Sequence, residues 1–314
     1  FNVGFDMEFL SGRLQAGAKY YKADVRDMLS VYNFRPDYYQ YEYDGDGNVI
    51  NKTLVTFDNL HWQNNIRLKR WGIDAYITAI PVKTSRFTWK SNFSFAIDRA
   101  VIIDCGLPAW NVLGMTGQAG FTGVSVSGTE NIGVTAFVNG KSPGVFYGYV
   151  TQGIIGAEHV NMAPPLKGQQ LGVGDPKYID TNGNGQVEET DKVVIGNPNP
   201  DFTFGFNNTL IFGKLSISLL FDGSLGNDIL NLNLLSWDNV AEAKNVRSST
   251  YENSVTFGGK LPRVGAQGLN EISDRMVEDG SFVRLSNLSA NYAIDVDKIK
   301  WLSSLDINLF VSNL

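Results

Sequence analysis

The 314-residue chain has one cysteine and two histidines. One thiol cannot form an internal disulfide, which excludes a disulfide-stapled scaffold and every cysteine-cluster metal site. His61 and His159 sit in no His-x-x-x-His or Glu-x-x-His spacing. No run of about 18 consecutive apolar residues occurs, so no transmembrane helix is encoded. Positive charge is also short. Lys plus Arg number 26 against 32 Asp plus Glu, a formal charge of −6, which argues against a general nucleic-acid binder. Yet 43% hydrophobic residues with 18% charged is too apolar for a disordered chain.

What is plentiful points to β structure. The chain holds 33 Gly, 19 Phe, 13 Tyr and 6 Trp, and aromatics favour strands. Length alone predicts one or two domains. The ends complicate that estimate, because residues 1–9 and 305–314 already alternate apolar and polar. The chain therefore reads as a piece of something larger, and the missing signal peptide carries no information on localisation.

Period-2 alternation dominates throughout. Phe1, Val3, Phe5, Met7 and Phe9 oppose Asn2, Gly4, Asp6 and Glu8. Leu14, Ala16, Ala18 and Tyr20 oppose Gln15, Gly17, Lys19 and Tyr21. The same pattern recurs near 71–79, 87–98, 202–212, 215–222, 288–294 and 305–311, giving eight strands. Strands of 9–11 residues, apolar on one face and polar on the other, suit a transmembrane β-strand around a wet interior. A soluble antiparallel sheet, such as a sandwich or lectin-like module, gives the same alternation.

Connection lengths separate the two readings. Ser11-Gly12, residues 82–85, Gly213-Lys214 and 295–302 are short. Residues 29–62, 103–200 and 224–280 are long. Outer-membrane barrels alternate short periplasmic turns with long outer loops, whereas compact domains rarely need such long loops. The expected fold is all-β, a portion of a large antiparallel transmembrane barrel. Trp71, Trp89, Tyr20 and Tyr292 fall near strand ends, as an interfacial aromatic belt requires.

Four ordered blocks then carry a resemblance. They are Ser142-Pro143-Gly144-Val145-Phe146-Tyr147-Gly148-Tyr149; Gly174-Asp175-Pro176 running to Gly185, with Ile195-Gly196-Asn197-Pro198-Asn199-Pro200-Asp201; Phe221-Asp222-Gly223-Ser224-Leu225-Gly226-Asn227-Asp228; and Val277-Glu278-Asp279-Gly280-Ser281-Phe282. Over roughly residues 60–314 the chain resembles the C-terminal half of the barrel of SusC/RagA-family TonB-linked outer-membrane transporters of Bacteroidetes. The resemblance implies a 22-stranded parent with a plug, a TonB box and a signal peptide, none of them visible in 1–314. It implies import of oligosaccharides or peptides with a SusD-like surface lipoprotein, energised through TonB, ExbB and ExbD, in contact with outer-membrane lipid. Two departures stand out. Tyr251-Glu252-Asn253-Ser254-Val255-Thr256-Phe257 replaces an Arg-Trp-Thr-Pro-like block, and Leu314 falls short of the family's closing strand.

One motif carries chemistry of its own. Asp180, Asn182 and Asn184 occupy positions 1, 3 and 5 of an EF-hand-type loop, with Gly185 at 6, the Gln186 carbonyl at 7, Glu188 at 9 and Asp191 at 12. Ca²⁺ takes six to eight hard oxygens wrapped at this spacing. An Asn/Gly-rich turn also fits the pattern. Asp44-Gly45-Asp46-Gly47-Asn48 is a weaker echo, better read as a hairpin turn. Trp110, Trp237 and Tyr251 fall in outer loops, where aromatic faces suit sugar rings or peptide side chains; packing between loops is the plainer reading. Cys105 lacks a local basic partner. No catalytic motif or nucleotide loop occurs. The expectation is a non-enzymatic importer without an organic cofactor. The alternative is a soluble, extracellular, Ca²⁺-stabilised β binding module.

Overall fold

The computed structural model describes residues 1–34, 37–43, 49–56, 59–104, 112–115, 135–234, 262–263, 265–296 and 303–314. Eight strands form one sheet: β1 (Asn2–Phe9), β2 (Leu14–Phe34), β5 (Asn59–Lys83), β6 (Phe87–Asp104), β13 (Phe202–Phe212), β14 (Leu215–Leu225), β17 (Phe282–Ile294) and β18 (Leu305–Ser312). They lie in that chain order, each hydrogen-bonded antiparallel to the next. Between them run smaller pieces. A hairpin pairs β3 (Asp37–Tyr43) with β4 (Val49–Thr56). Then come β7 (Val112–Met115), β8 (Thr135–Val138), β9 (Val145–Gly148), β10 (Thr151–Ile154), β11 (Pro176–Tyr178), β12 (Val193–Gly196), β15 (Asp228–Leu230) and β16 (Val277–Asp279).

The sheet sorts side chains as the alternation predicts. Across one face the register aligns Phe5, Ala18, Ala75, Phe95 and Phe204. Across the other it aligns Asp6, Gly17, Tyr76, Ser94, Gly205 and Asp222. In β17 the register shifts at the Leu220/Phe221 step. That bulge keeps Arg284 opposite Asp222 and Leu285 opposite Phe221, so both faces retain their chemistry past the irregularity.

The apolar face is uncovered. Phe1, then Val3, Phe5, Met7 and Phe9 of β1, Ile73 and Ile77 of β5, Phe93 of β6 and Ile307 and Leu309 of β18 are all exposed. A patch that wide would be an aggregation surface in water; a hydrocarbon bilayer is the solvent that suits it. The aromatic rims set its height. Trp89 pairs with Val82, so about eleven residues of β5 separate Trp71 from the Trp89 rim, roughly 25–30 Å once strand tilt is included. That equals the apolar band of an outer-membrane barrel.

Three strands overrun this band. β2 has 21 residues, β5 has 25 and β6 has 18, against the 9–11 or so that cross a bilayer. The stretch 29–62 is therefore strand over much of its length, including the β3–β4 hairpin. The stretch 103–200 likewise contains a four-stranded sheet in the order β12-β9-β8-β7 and the β10–β11 pair. No helix among the described residues is long and apolar enough to cross a membrane, which says nothing of strands.

Candidate functional site: the polar wall and the outer unit

The polar face of the sheet is built from small residues bridged by long ones. Tyr76 on β5 faces Gly17 on β2, and a Cβ at Gly17 would collide with the Tyr76 ring and the Asp6 carboxylate. Glycine lets the ring lie flat across β2, so its hydroxyl donates to Asp6 Oδ1 on β1 at 2.7 Å. The device recurs in the opposite direction. Tyr21 on β2 lies over Gly72 on β5 and donates to Asp98 Oδ1 on β6 at 2.9 Å. Arg70 completes that site, reaching Asp98 with Nε at 2.8 Å and a second guanidinium nitrogen at 2.5 Å. Farther round, Arg284 Nε meets Asp222 Oδ2 at 3.1 Å, Asn92 donates to Thr78 at 2.6 Å and Asn291 to Asn308 at 2.6 Å. The two tyrosine bonds each cross an intervening strand, and the others join neighbouring strands. They fix register on a face too wet to be sorted by burial.

Between Tyr76 and the next long side chains the wall dips. An open hollow of about 760 Å³ is lined on this face by Asn2, Asp6, Lys19, Asp74, Tyr76 and Thr203. Nothing in it has the geometry of a nucleophile with its base. Asp222 is held by Arg284, and Asp228 accepts from the Asn197 amide at 2.7 Å. Asp222 and Asp228, a carboxylate pair outside this hollow, are thus each held by a structural partner.

The second feature is a folded outer unit, made from 135–200 with parts of 224–280. Most of its core is its own, and a third cluster, in which Phe137 packs on Ile66 of β5 and Ile102 of β6, joins it to the wall. Tyr149, Ile155, Ala163, Leu166, Leu171, Tyr178 and Val187 form one buried cluster; Leu234, Ile272 and Met276 form another. The two chain segments are tied by polar contacts. Asp175, fully buried, receives Arg263 Nε at 2.9 Å, the Gln267 amide at 3.1 Å and the Gly172 amide at 2.8 Å. Asp274 Oδ1 accepts from the Thr151 hydroxyl at 2.7 Å and its amide at 3.0 Å. The Tyr178 hydroxyl donates to the Gly268 carbonyl at 2.6 Å. Lys167 bridges Glu271 at 2.7 Å and Glu189 at 3.0 Å.

Electrostatics follow from this packing. Burial, with the Glu189 charge nearby, pushes the Tyr149 hydroxyl far above its ordinary range. Burial also presses the Glu189 carboxyl upward, but Lys192 and Lys167 outweigh it and hold the group below its ordinary 4.5. Lys192 lies 5.2 Å above the Tyr149 ring, a cation–π contact, and its charge is paired with Glu189 at 2.6 Å.

The loop singled out by sequence lies in this unit. Asp180, Asn182, Asn184, Gln186, Glu188 and Asp191 do come together there, around the glycine turns at 183 and 185. Their oxygens, however, face backbone amides. Asp180 accepts from the amides of Gly183 at 2.7 Å and Gly185 at 2.6 Å. Asn182 Oδ1 accepts from the Asn184 amide at 3.0 Å and Asn184 Oδ1 from the Gln186 amide at 2.9 Å. Asp191, at the closing position, is buried and turned to amides as well. A bidentate closing ligand is what Ca²⁺ needs there, and as placed this set does not supply one. Trp110, Trp237, Tyr251, Cys105 and 44–48 lie outside the described residues. His159 is at the surface, 3.2 Å from Glu158. The ties Asp175–Arg263 and Thr151–Asp274 escaped sequence reasoning, although Asp175 sits in a recognised block; their partners are 88 and 123 residues away.

Sequence comparison finds relatives that cover the chain. It is 28% identical over 317 residues to TonB-dependent receptor P3 of Formosa agariphila, covering 99% of the chain and 28% of that protein. It is 31% identical over 305 residues to receptor P26 of the same organism, covering 95% of the chain and 28% of the relative. It is 22% identical to TonB-dependent receptor SusC of Bacteroides thetaiotaomicron, covering 93% of the chain and 25% of SusC. The chain thus spans under a third of these relatives' length. No family model matches it. Among solved structures it superposes on the RagAB peptide transporter with a TM-score of 0.65 at 17% identity, covering all of this chain and 31% of that one. The 'closed-closed' state of the RagAB peptide importer gives 0.66 at 19%.

An uncovered apolar band, a polar inner wall and these matches define the class: the chain is part of a transmembrane β-barrel of the TonB-dependent receptors. Within that class it is similar to SusC over most of its length, and its fold matches that of RagAB.

Proposed function

We propose that the whole protein is a TonB-dependent outer-membrane importer of oligosaccharides or peptides, and that this chain supplies part of its barrel wall and an outer, folded cap. The carrying observation is the eight-stranded sheet in strict chain order, with its apolar face bare and its polar face bonded across strands. The relatives' names support receptor function, and RagAB, named a peptide importer, supports a peptide as one class of cargo. The outer unit, rigidly tied at Asp175 and Asp274, suits docking of a SusD-like surface lipoprotein above the lumen. TonB, with ExbB and ExbD, would act on parts of the protein other than this wall. On this reading the chain performs no bond chemistry and forms one side of a path.

The test is native purification and deletion. Deleting the gene should abolish uptake of one oligosaccharide or peptide class, and the protein should co-purify from outer membranes with a surface lipoprotein. Full-length protein that remains monodisperse without detergent would contradict the reading.

A further inference from the structure

An EF-hand loop is closed by its twelfth residue, which gives the ion two carboxylate oxygens. Asp191 holds that position and spends its oxygens otherwise. Oδ1 accepts from the Thr181 amide at 2.8 Å, the Asn182 amide at 3.1 Å and the Thr181 hydroxyl at 3.1 Å. Oδ2 accepts from the Glu188 amide at 2.8 Å. The last bond is one half of a capping box on the short helix Glu189–Asp191, so the carboxylate also starts that helix. At the other end, Asp180 gathers the amides of Gly183, Asn184 and Gly185. The charge that a cation would neutralise is met at both ends by amide dipoles. Side-chain length fits this use: Asp is a methylene shorter than Glu and keeps its oxygens among the loop's own amides.

We propose that Asp191 replaces the ion: the 180–191 loop is latched internally by its carboxylate, and the outer unit keeps its shape without a divalent cation. The latch has reach. Val187, fully buried, donates its amide to Pro165 at 2.9 Å and accepts from the Lys167 amide at 2.8 Å. Glu189, on the helix that Asp191 starts, holds Lys167 and receives the Tyr149 hydroxyl at 3.3 Å. Opening the latch therefore frees the segment at 165–167, held to Val187 by an isolated bridge at Leu166, and the contact to the Tyr149 core. This inference holds whatever cargo the receptor carries.

Hydrogen exchange on the full-length receptor in detergent tests it, in excess EDTA and in about 10 mM CaCl₂. Exchange at the amides of Thr181, Asn182 and Glu188 should agree within about twofold between the two conditions. Asp191→Asn should speed it about tenfold or more in both. Thr181→Val, which removes only the hydroxyl bond, should give a smaller, equally cation-independent rise, and serves if Asp191→Asn does not assemble. CaCl₂ slowing wild-type exchange about tenfold, or a calorimetric Ca²⁺ site lost in Asp180→Asn, overturns the proposal.

Discussion

The wall and the outer unit solve the same problem with opposite means. The wall has almost no buried core. Its order comes from ladder hydrogen bonds and from two faces that prefer different solvents, and its ion pairs are exposed; Arg70 and Asp98 are about half open, at 53% and 46%. The outer unit has two buried hydrophobic clusters, and its key charges are enclosed, with Asp175 and Asp191 at 0% exposure. Stability in the wall is thus spread along strands, and in the cap it is concentrated at few residues. The contrast teaches where each region should fail.

Tyr149 should be the most sensitive position. It is fully buried, stacks edge-on to Tyr178 at 5.6 Å and anchors the Lys167–Glu189 cluster. Tyr149→Ala should cost about 3–5 kcal/mol locally. Limited proteolysis should then cut within 135–200 while the barrel still runs folded on an unheated gel. Loss of both regions together would break the distinction.

Next comes a charge in the apolar band. Ile77→Arg, midway between the aromatic rims, should cost about 2–4 kcal/mol and hinder membrane assembly. Thr78→Arg, one residue on and facing the polar side, should be tolerated. Urea unfolding in detergent reads the pair, and equal effects would erase the two-solvent account.

Acid should act mainly on the cap, because the wall's carboxylate pairs, such as Arg70–Asp98, are exposed and contribute little. Burial pushes the Asp191 carboxyl upward, but the amides of Glu188, Asn182 and Thr181 outweigh it and hold it below its ordinary 3.8. Glu189 is held low by its lysines. A depressed carboxylate stabilises the fold fully above its unfolded value and loses that contribution as pH falls through the folded one. Exchange protection in 165–192 should therefore be complete above about pH 4.5 and fade below about 3.8, with the strand ladders unchanged. Protection that instead rises on acidification would reverse the sign.

The smallest effect belongs to Arg70→Ala. An exposed pair contributes about 0–1 kcal/mol, so the unfolding midpoint should barely move. A large shift would mean that the wall is held by its charges.

The same contrast explains what sequence could show. The eight wall strands were legible because lipid on one side and water on the other force a period of two at Phe1–Phe9 or Leu305–Val311. Beyond Trp71 both faces are wet. Lys22-Ala23-Asp24-Val25-Arg26 alternates in the opposite phase to Leu14–Tyr20, Asp27 breaks the pattern, and the register shifts between Val25 and Met28, so the long extensions of β2 and β5 passed for loop. The cap was illegible for another reason. Thr151 meets Asp274 and Asp175 meets Arg263 across intervals that no local pattern spans. The ligand spacing at 180–191 was legible, but whether its oxygens turn to an ion or to amides depends on the backbone path.

The central claim is that alternate residues of one strand face lipid and water. Nitroxide labels placed singly along 71–82 of the full-length receptor, with Cys105 replaced by serine, measure this directly. Collision rates with oxygen and with a polar nickel chelate should oscillate with a period of two and in opposite phase, oxygen peaking at 73, 75 and 77 and the chelate at 74, 76 and 78. Rates that rise and fall together, or show no period of two, would contradict it.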